Sequence, residues 1–357
     1  MNEILTTFVS PIYFVEYIMK DLMNMHFWMQ SIFNNKKRIA IPIMTHPGIE
    51  LIGKTVLEAI SDGNIHFEAI KALDQKYPLA VCTVMMDLTV EAEAFGATVN
   101  FPENEVPTVV GRLVSDRESV EKLQIPDLTA GRIPQYILAN QLTAEYSKGK
   151  PVFGGIIGSF SLAGRLYDMS ELMLACYCEP DIAELLLKKC TEFLKNYCLE
   201  LKRQGINGVI IAEPAAGLLS NNDCSEFSSQ YIQQIVEAVQ DDSFMVVLHN
   251  CGNTGHCTAA MLETGAWGYH FGNKIDMAEA LNDCPSNVLV MGNLDPATIF
   301  KSATPEAVRL ATLELLDITS SYPNFILSSG CDVPPHTPHI NIEAFYGALD
   351  EYNRRSI

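Results

Sequence analysis

The chain has 357 residues, 48% of them hydrophobic and 19% charged, with a formal net charge of −19. That is the composition of a folded protein with a sizeable core. So acidic a chain repels nucleic acid and anionic membrane surfaces, and neither is expected as a partner. The ten cysteines form no CxxC pair and lack the regular spacing of a small secreted scaffold. The start, Met1-Asn2-Glu3-Ile4, lacks the basic segment of a signal peptide, and no uninterrupted run of about 18 apolar residues suggests a transmembrane helix. A cytoplasmic enzyme with reduced thiols is expected.

Residues 1–38 are apolar and Met-rich, and they are expected to form an N-terminal helical extension with helices over 12–19 and 23–33 packed on the body. From residue 39 to 357 short apolar, often β-branched runs alternate with helical periodicity, the pattern of βα units. The runs predict strands over 39–44, 79–84, 152–157, 208–212, 245–248, 267–270, 288–291 and 325–327. Helical spacing lies between them, over 53–60, 66–76, 133–147, 180–203, 224–239, 255–264, 277–281, 305–320 and 342–352. Eight strands with interleaved helices are the count of a TIM (β/α)8 barrel. Residues 88–125 fit neither template and read as an insertion after the second strand.

In such a barrel the site lies past the C-terminal ends of the strands. The residues there are His46, Asp87, Ser159, Glu213, His249 with Cys251, His270, Asn293 with Asp295, and Ser328 to Asp332. Polar and metal-capable groups thus recur at one end of successive strands. His249 and Cys251 stand two apart, so in extended chain both side chains point the same way. Cys331 occupies the matching place after the last strand. Two thiolates and one imidazole are ligands zinc prefers, and a catalytic zinc keeps its fourth position for substrate or water. An isolated HxC is equally what inert core packing produces. The remaining cysteines read as structural, His256 as a helix cap, and His336 and His339 as surface loop residues.

Taken together, His249-Asn250-Cys251-Gly252-Asn253, Gly292-Asn293-Leu294-Asp295-Pro296 and Ser329-Gly330-Cys331-Asp332-Val333-Pro334-Pro335 resemble the uroporphyrinogen decarboxylase superfamily. More narrowly they resemble its methylcobalamin:coenzyme M methyltransferase branch, as do the segments 86–96 and 158–164. The resemblance runs from about Arg38 to Tyr352. It implies a TIM barrel that binds zinc through His249, Cys251 and Cys331. It also implies methyl transfer from a methylated corrinoid (methylcobalamin), carried on a corrinoid protein, to a small thiol such as coenzyme M. Glu213 and Asp87 are then expected to serve catalysis, with Glu213 a candidate fourth zinc ligand displaced by the thiol. Glu91, Ser159, His270 and Asn293 are expected to bind substrate, and a homodimer is compatible with the pattern. The decarboxylases carry an arginine-rich N-terminal motif, whereas Ile41-Pro42-Ile43-Met44-Thr45-His46-Pro47-Gly48 has no arginine. For a sulfonate, the nearest cations in the expected site loops are Arg165 and Lys274. Two other readings stand beside this one: a metal-independent decarboxylase-like lyase using Asp87, and a non-catalytic accessory protein that binds corrinoid or zinc.

Overall fold

The computed structural model describes residues 23–355. Seven parallel strands form one curled sheet in the order β1, β4, β5, β6, β7, β8, β9. They are β1 (Cys82–Thr83), β4 (Val152–Ile157), β5 (Gly208–Ala212), β6 (Met245–Asn250), β7 (Gly268–Phe271), β8 (Leu289–Leu294) and β9 (Phe325–Ser329). The eighth stave is the segment at Ala40, which bridges in parallel to Leu327 of β9. Ile41 N donates to Leu327 O and Leu327 N to Ile39 O. Pro42 has no N–H to extend the ladder, and Ile43 N turns to the Ser329 hydroxyl instead. The first expected strand is therefore one bridge long. The fold is the TIM barrel expected from the sequence.

Alternation along the strands sorts the side chains into two cores. Outward residues such as Val209, Ile211, Val246 and Leu248 join the large cluster beneath the outer helices. The helix Pro180–Arg203 shows why those helices form: Ile182, Leu186, Leu187, Cys190, Phe193, Leu194, Tyr197 and Leu201 recur at helical spacing on its buried face. Inward residues Phe153, Ile210, Met245, Val247, Leu289, Met291 and Ile326 fill the barrel interior. Met25, Met29 and Ile32 of the helix Met25–Phe33 belong to the same interior cluster. Met25 N donates to Asp242 O, just ahead of β6, so this helix closes the barrel floor. The expected helix over 12–19 lies outside the described residues.

Three helices lack any clear sequence signal: His46–Leu51, Ser159–Tyr167 and Met169–Cys178. Eight of the nine residues of Ser159–Tyr167 are buried, so its polar residues Ser159 and Ser161 lie in the interior and mark no solvent face. The segment 88–125 folds into the helix Val90–Ala94, the antiparallel hairpin of β2 (Val99–Asn100) and β3 (Thr108–Val109), and the helix Arg117–Lys122. Leu113 N and Val114 N both bond to Leu166 O. That ties the insertion to the helix after β4 and lays it over the barrel mouth. Among the described residues no helix is long and apolar enough to cross a membrane.

Candidate metal centre

Parallel register sets His249 of β6 between Ala212 of β5 and His270 of β7. Two steps past Val247 on the inward face, it is the first polar layer above the apolar interior. Asn250 Oδ1 then accepts N–H bonds from Gly252 and Asn253, each 3.0 Å. This turn brings Cys251 back over the mouth. The loop after β7 meets it at Gly272, where a Cβ would lie 2.7 Å from Cys251 Cα and 2.8 Å from its carbonyl oxygen. Only glycine allows that approach. From the far end of the barrel sequence, Gly330 N bonds to Leu294 O at 2.6 Å and delivers Cys331.

The imidazole of His249 and the two sulfurs come together with their ligand atoms all within 4.8 Å of one another. Ligands about 2.0–2.3 Å from a tetrahedral zinc stand roughly 3.5–3.8 Å apart, so modest side-chain adjustment suffices. Each thiol acts on the other: Cys331 draws Cys251 down to about 7, and Cys251, with burial, pushes Cys331 up.

A hydrogen-bonded chain fixes which nitrogen of His249 faces the thiols. Ser328 Oγ donates to the Ile41 carbonyl at 2.7 Å. Its oxygen therefore accepts from His270 Nε2, 2.8 Å away. That leaves His270 Nδ1 as an acceptor for His249 Nδ1 at 2.8 Å. The same His249 nitrogen lies 3.3 Å from the His270 carbonyl, which can only accept, so both contacts require the proton on Nδ1. His270 is held neutral, its pKa driven well down by burial and by His249. In the neutral imidazole this leaves Nε2 as the lone-pair nitrogen, and it is buried with no hydrogen-bond partner. An orphaned imidazole nitrogen beside two thiols fits a zinc ion, with the ring oriented through its other nitrogen.

A cavity of about 250 Å³ opens beside the triad, with His249, Cys251 and Cys331 in its wall. Asp87 lines it too. Its Oδ1 accepts from Thr89 N and Oγ1, and its Oδ2 from Arg132 and Tyr136. Arg132 also pairs with Glu93 at 2.6 Å. His46 and Asp332 face each other in the wall at 3.3 Å.

The other expected site residues lie around this cavity without lining it. Glu213 is buried, and its carboxylate accepts from Phe160 N at 2.9 Å and Ser161 N at 2.6 Å. Burial raises it to about 7 against those bonds. A Cβ on Gly158 would lie 2.3 Å from that carboxylate, so glycine makes room for it. Glu91 accepts from Ile157 N at 3.1 Å and is pushed up to about 8 by burial. Ser159 turns outward to Thr191, 2.9 Å away. Asn293 donates to Gly272 O and Ile275 O and clamps two loops together. His270 and Ser328 act through His249.

Sequence reading did not single out Arg132, Tyr136 or the pairing of His46 with Asp332. Their partners are far away in the chain, and only the fold introduces them. Of the histidines assigned to a loop, His336 is exposed. His339 instead begins the helix His339–Arg355 and bonds to the Tyr77 hydroxyl at 2.8 Å.

The sequence profile of the family described as "Uroporphyrinogen decarboxylase (URO-D)" matches residues 38–352. A methylcobamide:CoM methyltransferase of Methanosarcina acetivorans is 30% identical over 273 residues, 75% of this chain and 79% of its own length. A uroporphyrinogen decarboxylase of Legionella pneumophila is 27% identical, over 78% of this chain and 82% of its own. Among solved structures, a methyltransferase from Methanosarcina mazei superposes with a TM-score of 0.83 at 21% identity. The superposition covers 92% of this chain and 99% of that one.

Proposed function

The chain belongs to the uroporphyrinogen decarboxylase family, in the branch of the methylcobamide:coenzyme M methyltransferases, and from that premise we propose that it moves a methyl group from a methylated corrinoid, carried on a corrinoid protein, to the sulfur of a small thiol such as coenzyme M. The observation that carries this reading is the bare, buried Nε2 of His249 facing the sulfurs of Cys251 and Cys331. Zinc held by these three would offer its fourth position to the acceptor thiol and lower its pKa, so that a thiolate is present at neutral pH.

The rest is the work of the chain itself. Ile41, Ser328 and His270 hold the His249 tautomer. The cavity confines the acceptor beside the triad. In the transfer, sulfur's lone pair forms the new sulfur–carbon bond. The cobalt–carbon bond breaks with both electrons staying on cobalt, and the thiol proton leaves for solvent. Asp87, with each carboxylate oxygen already accepting two hydrogen bonds, serves as a rigid wall and not as a mobile base.

Porphyrinogen decarboxylation would call for several cations around a wider cleft. Among the described residues lining the cavity, Arg165 is the one lysine or arginine.

The test is elemental analysis of the purified protein combined with methyl transfer from methylcobalamin to a panel of thiols. About one zinc per chain is expected. Cys251→Ala should lose both the metal and at least about a thousandfold in rate, the scale on which essential groups act. Full activity in metal-free protein would sink the reading.

A further inference from the structure

One imidazole in the cavity wall has no part in the metal centre. His46 begins the helix His46–Leu51, just past the first stave, and lines the same cavity as the triad. It is 2% exposed. Val333 N bonds to Ile43 O at 2.9 Å, so the loop that carries Cys331 is laced to the same stave. Across that seam His46 Nε2 lies 3.3 Å from Asp332 Oδ2. A carboxylate can only accept, so it holds a proton on Nε2. In the neutral ring Nδ1 is then the lone-pair nitrogen, and it is buried with no hydrogen-bond partner. The other polar groups of the wall are engaged. Asp87 already accepts four hydrogen bonds. Thr89 Oγ1 sits between Asp87 and Arg132. Arg165 is a cation, and His249 faces the sulfurs. A thiol's ordinary pKa of about 8.5 also lies nearer an imidazole's (about 6.5) than an aspartate's (about 3.9), so imidazole is the better base for its proton.

We propose that His46 is the catalytic base of the acceptor site: it takes the proton of the incoming thiol on Nδ1 and holds it until the thioether has left. This rests on the reading of the cavity as a thiol-acceptor site. The sulfur–hydrogen bond breaks with its electron pair left on sulfur, and a nitrogen–hydrogen bond forms on the ring. The proton passes to solvent after the transfer, which returns the ring to its neutral form. Asp332 orients the ring and stabilises the cation it becomes, the part an aspartate plays behind a catalytic histidine. The charged and titratable groups around the ring are Asp332 beyond β9, Asp87 beyond β1, His66 of the helix Gly63–Lys76 and Glu50 on its own helix. Burial opposes a charge on the ring, but Asp332, Asp87 and Glu50 outweigh it and raise the pKa. The neutral ring is the active form, so thiol activation is gained as pH rises through that raised value.

The experiment counts protons. Zinc-loaded protein is titrated calorimetrically with coenzyme M in buffers of different ionisation enthalpy at about pH 8, where a free thiol keeps most of its proton. The native protein should release less than about 0.3 proton to the buffer per thiol bound, and His46→Gln about one. Glutamine can still donate to Asp332 but has no basic nitrogen. In methyl transfer His46→Gln should lose about 100-fold or more in kcat/KM at about pH 7. The loss should shrink as pH approaches the thiol's own pKa, because the thiolate then arrives already formed. A residue that only braced the Cys331 loop would instead lower the zinc content and cut the rate equally at every pH, and that result overturns the proposal. Equal proton counts in the two proteins overturn it too. If the native protein binds the thiol and releases about one proton, this inference fails and the functional reading stands. No binding of coenzyme M or of any thiol in the panel fails that reading, and this inference with it. Circular dichroism checks folding, and if His46→Gln does not fold, the native proton count decides.

Discussion

The floor and the mouth of this barrel are built on the same strands two residues apart, yet they obey opposite rules. On β6, Met245 and Val247 belong to the apolar interior and His249 to the site. On β9, Ile326 and Ser328 divide in the same way. At the floor the helix Met25–Phe33 closes the interior with methionine and isoleucine side chains. At the mouth, buried polar atoms lack hydrogen-bond partners: His46 Nδ1, Glu91 Oε2, His249 Nε2, Asn250 Nδ2 and Asp332 Oδ1. Unsatisfied buried groups reduce stability, so the mouth is held in place by the rest of the fold. The floor stores the stability that the mouth gives up for chemistry.

The largest expected effect is a clean separation of the two ends. Cys331→Ala should take zinc from about one per chain to near zero by elemental analysis, with little change in the urea midpoint of the metal-free protein. Met245→Ala should keep the zinc and lose about 2–5 kcal/mol in urea unfolding, the range for emptying a buried methionine site. A second thiol pair sharpens the point. Cys224 and Cys257 are also in contact, but Cys257 Sγ faces the carbonyls of Ala216 and Leu219, with Leu219 O at 3.3 Å. Among the described residues no imidazole joins them in a ligand group, so Cys257→Ala should leave the zinc content unchanged. Metal loss from Cys257→Ala, or metal retained in Cys331→Ala, would break the comparison.

Next in size is the chain of bonds behind His249. In His270→Leu only the backbone carbonyl of residue 270, 3.3 Å away, is left to hold the proton on His249 Nδ1, and zinc affinity should fall about 10- to 100-fold in chelator competition, as for other partners of metal-binding histidines. Ser328→Ala should move it the same way by less. Unchanged affinity in both would mean that the triad needs no fixed tautomer.

The smallest effect concerns the mouth's cost in stability. Burial raises Glu91 from the usual 4.5 to about 8. The folded protein therefore keeps its proton between those values while the unfolded chain releases it. The folded state binds more protons there, so this group's contribution falls as pH rises from about 4.5 and levels off near 8. Glu91→Gln removes that dependence. Its Tm should exceed the wild-type value by about 2–4 °C at pH 8, and by less at pH 5. Parallel Tm profiles from pH 5 to 8 would show that Glu91 does not titrate in this way.

Local pattern carried the barrel, and strand-end placement together with the family resemblance pointed to the ligand triad. Short apolar runs over 152–157 and 208–212 coincide with β4 and β5, and the helix over 180–203 with its amphipathic spacing. Strand polarity then puts His249, Cys251 and Cys331 at one end, because in a barrel every parallel strand finishes on the same side. Tertiary structure decided everything that depends on which partner a polar group finds. Arg132 reaches Asp87 across 45 residues of sequence, and Ser328 reaches His270 across 58. It turned Ser159 toward Thr191, Glu213 toward the backbone of its neighbouring helix, and Met25 into the floor. Hydrophobic periodicity is a property of neighbouring residues and can be read along the chain. Hydrogen bonds and ion pairs between distant residues are satisfied only after the fold has closed, and so only the closed fold reveals them.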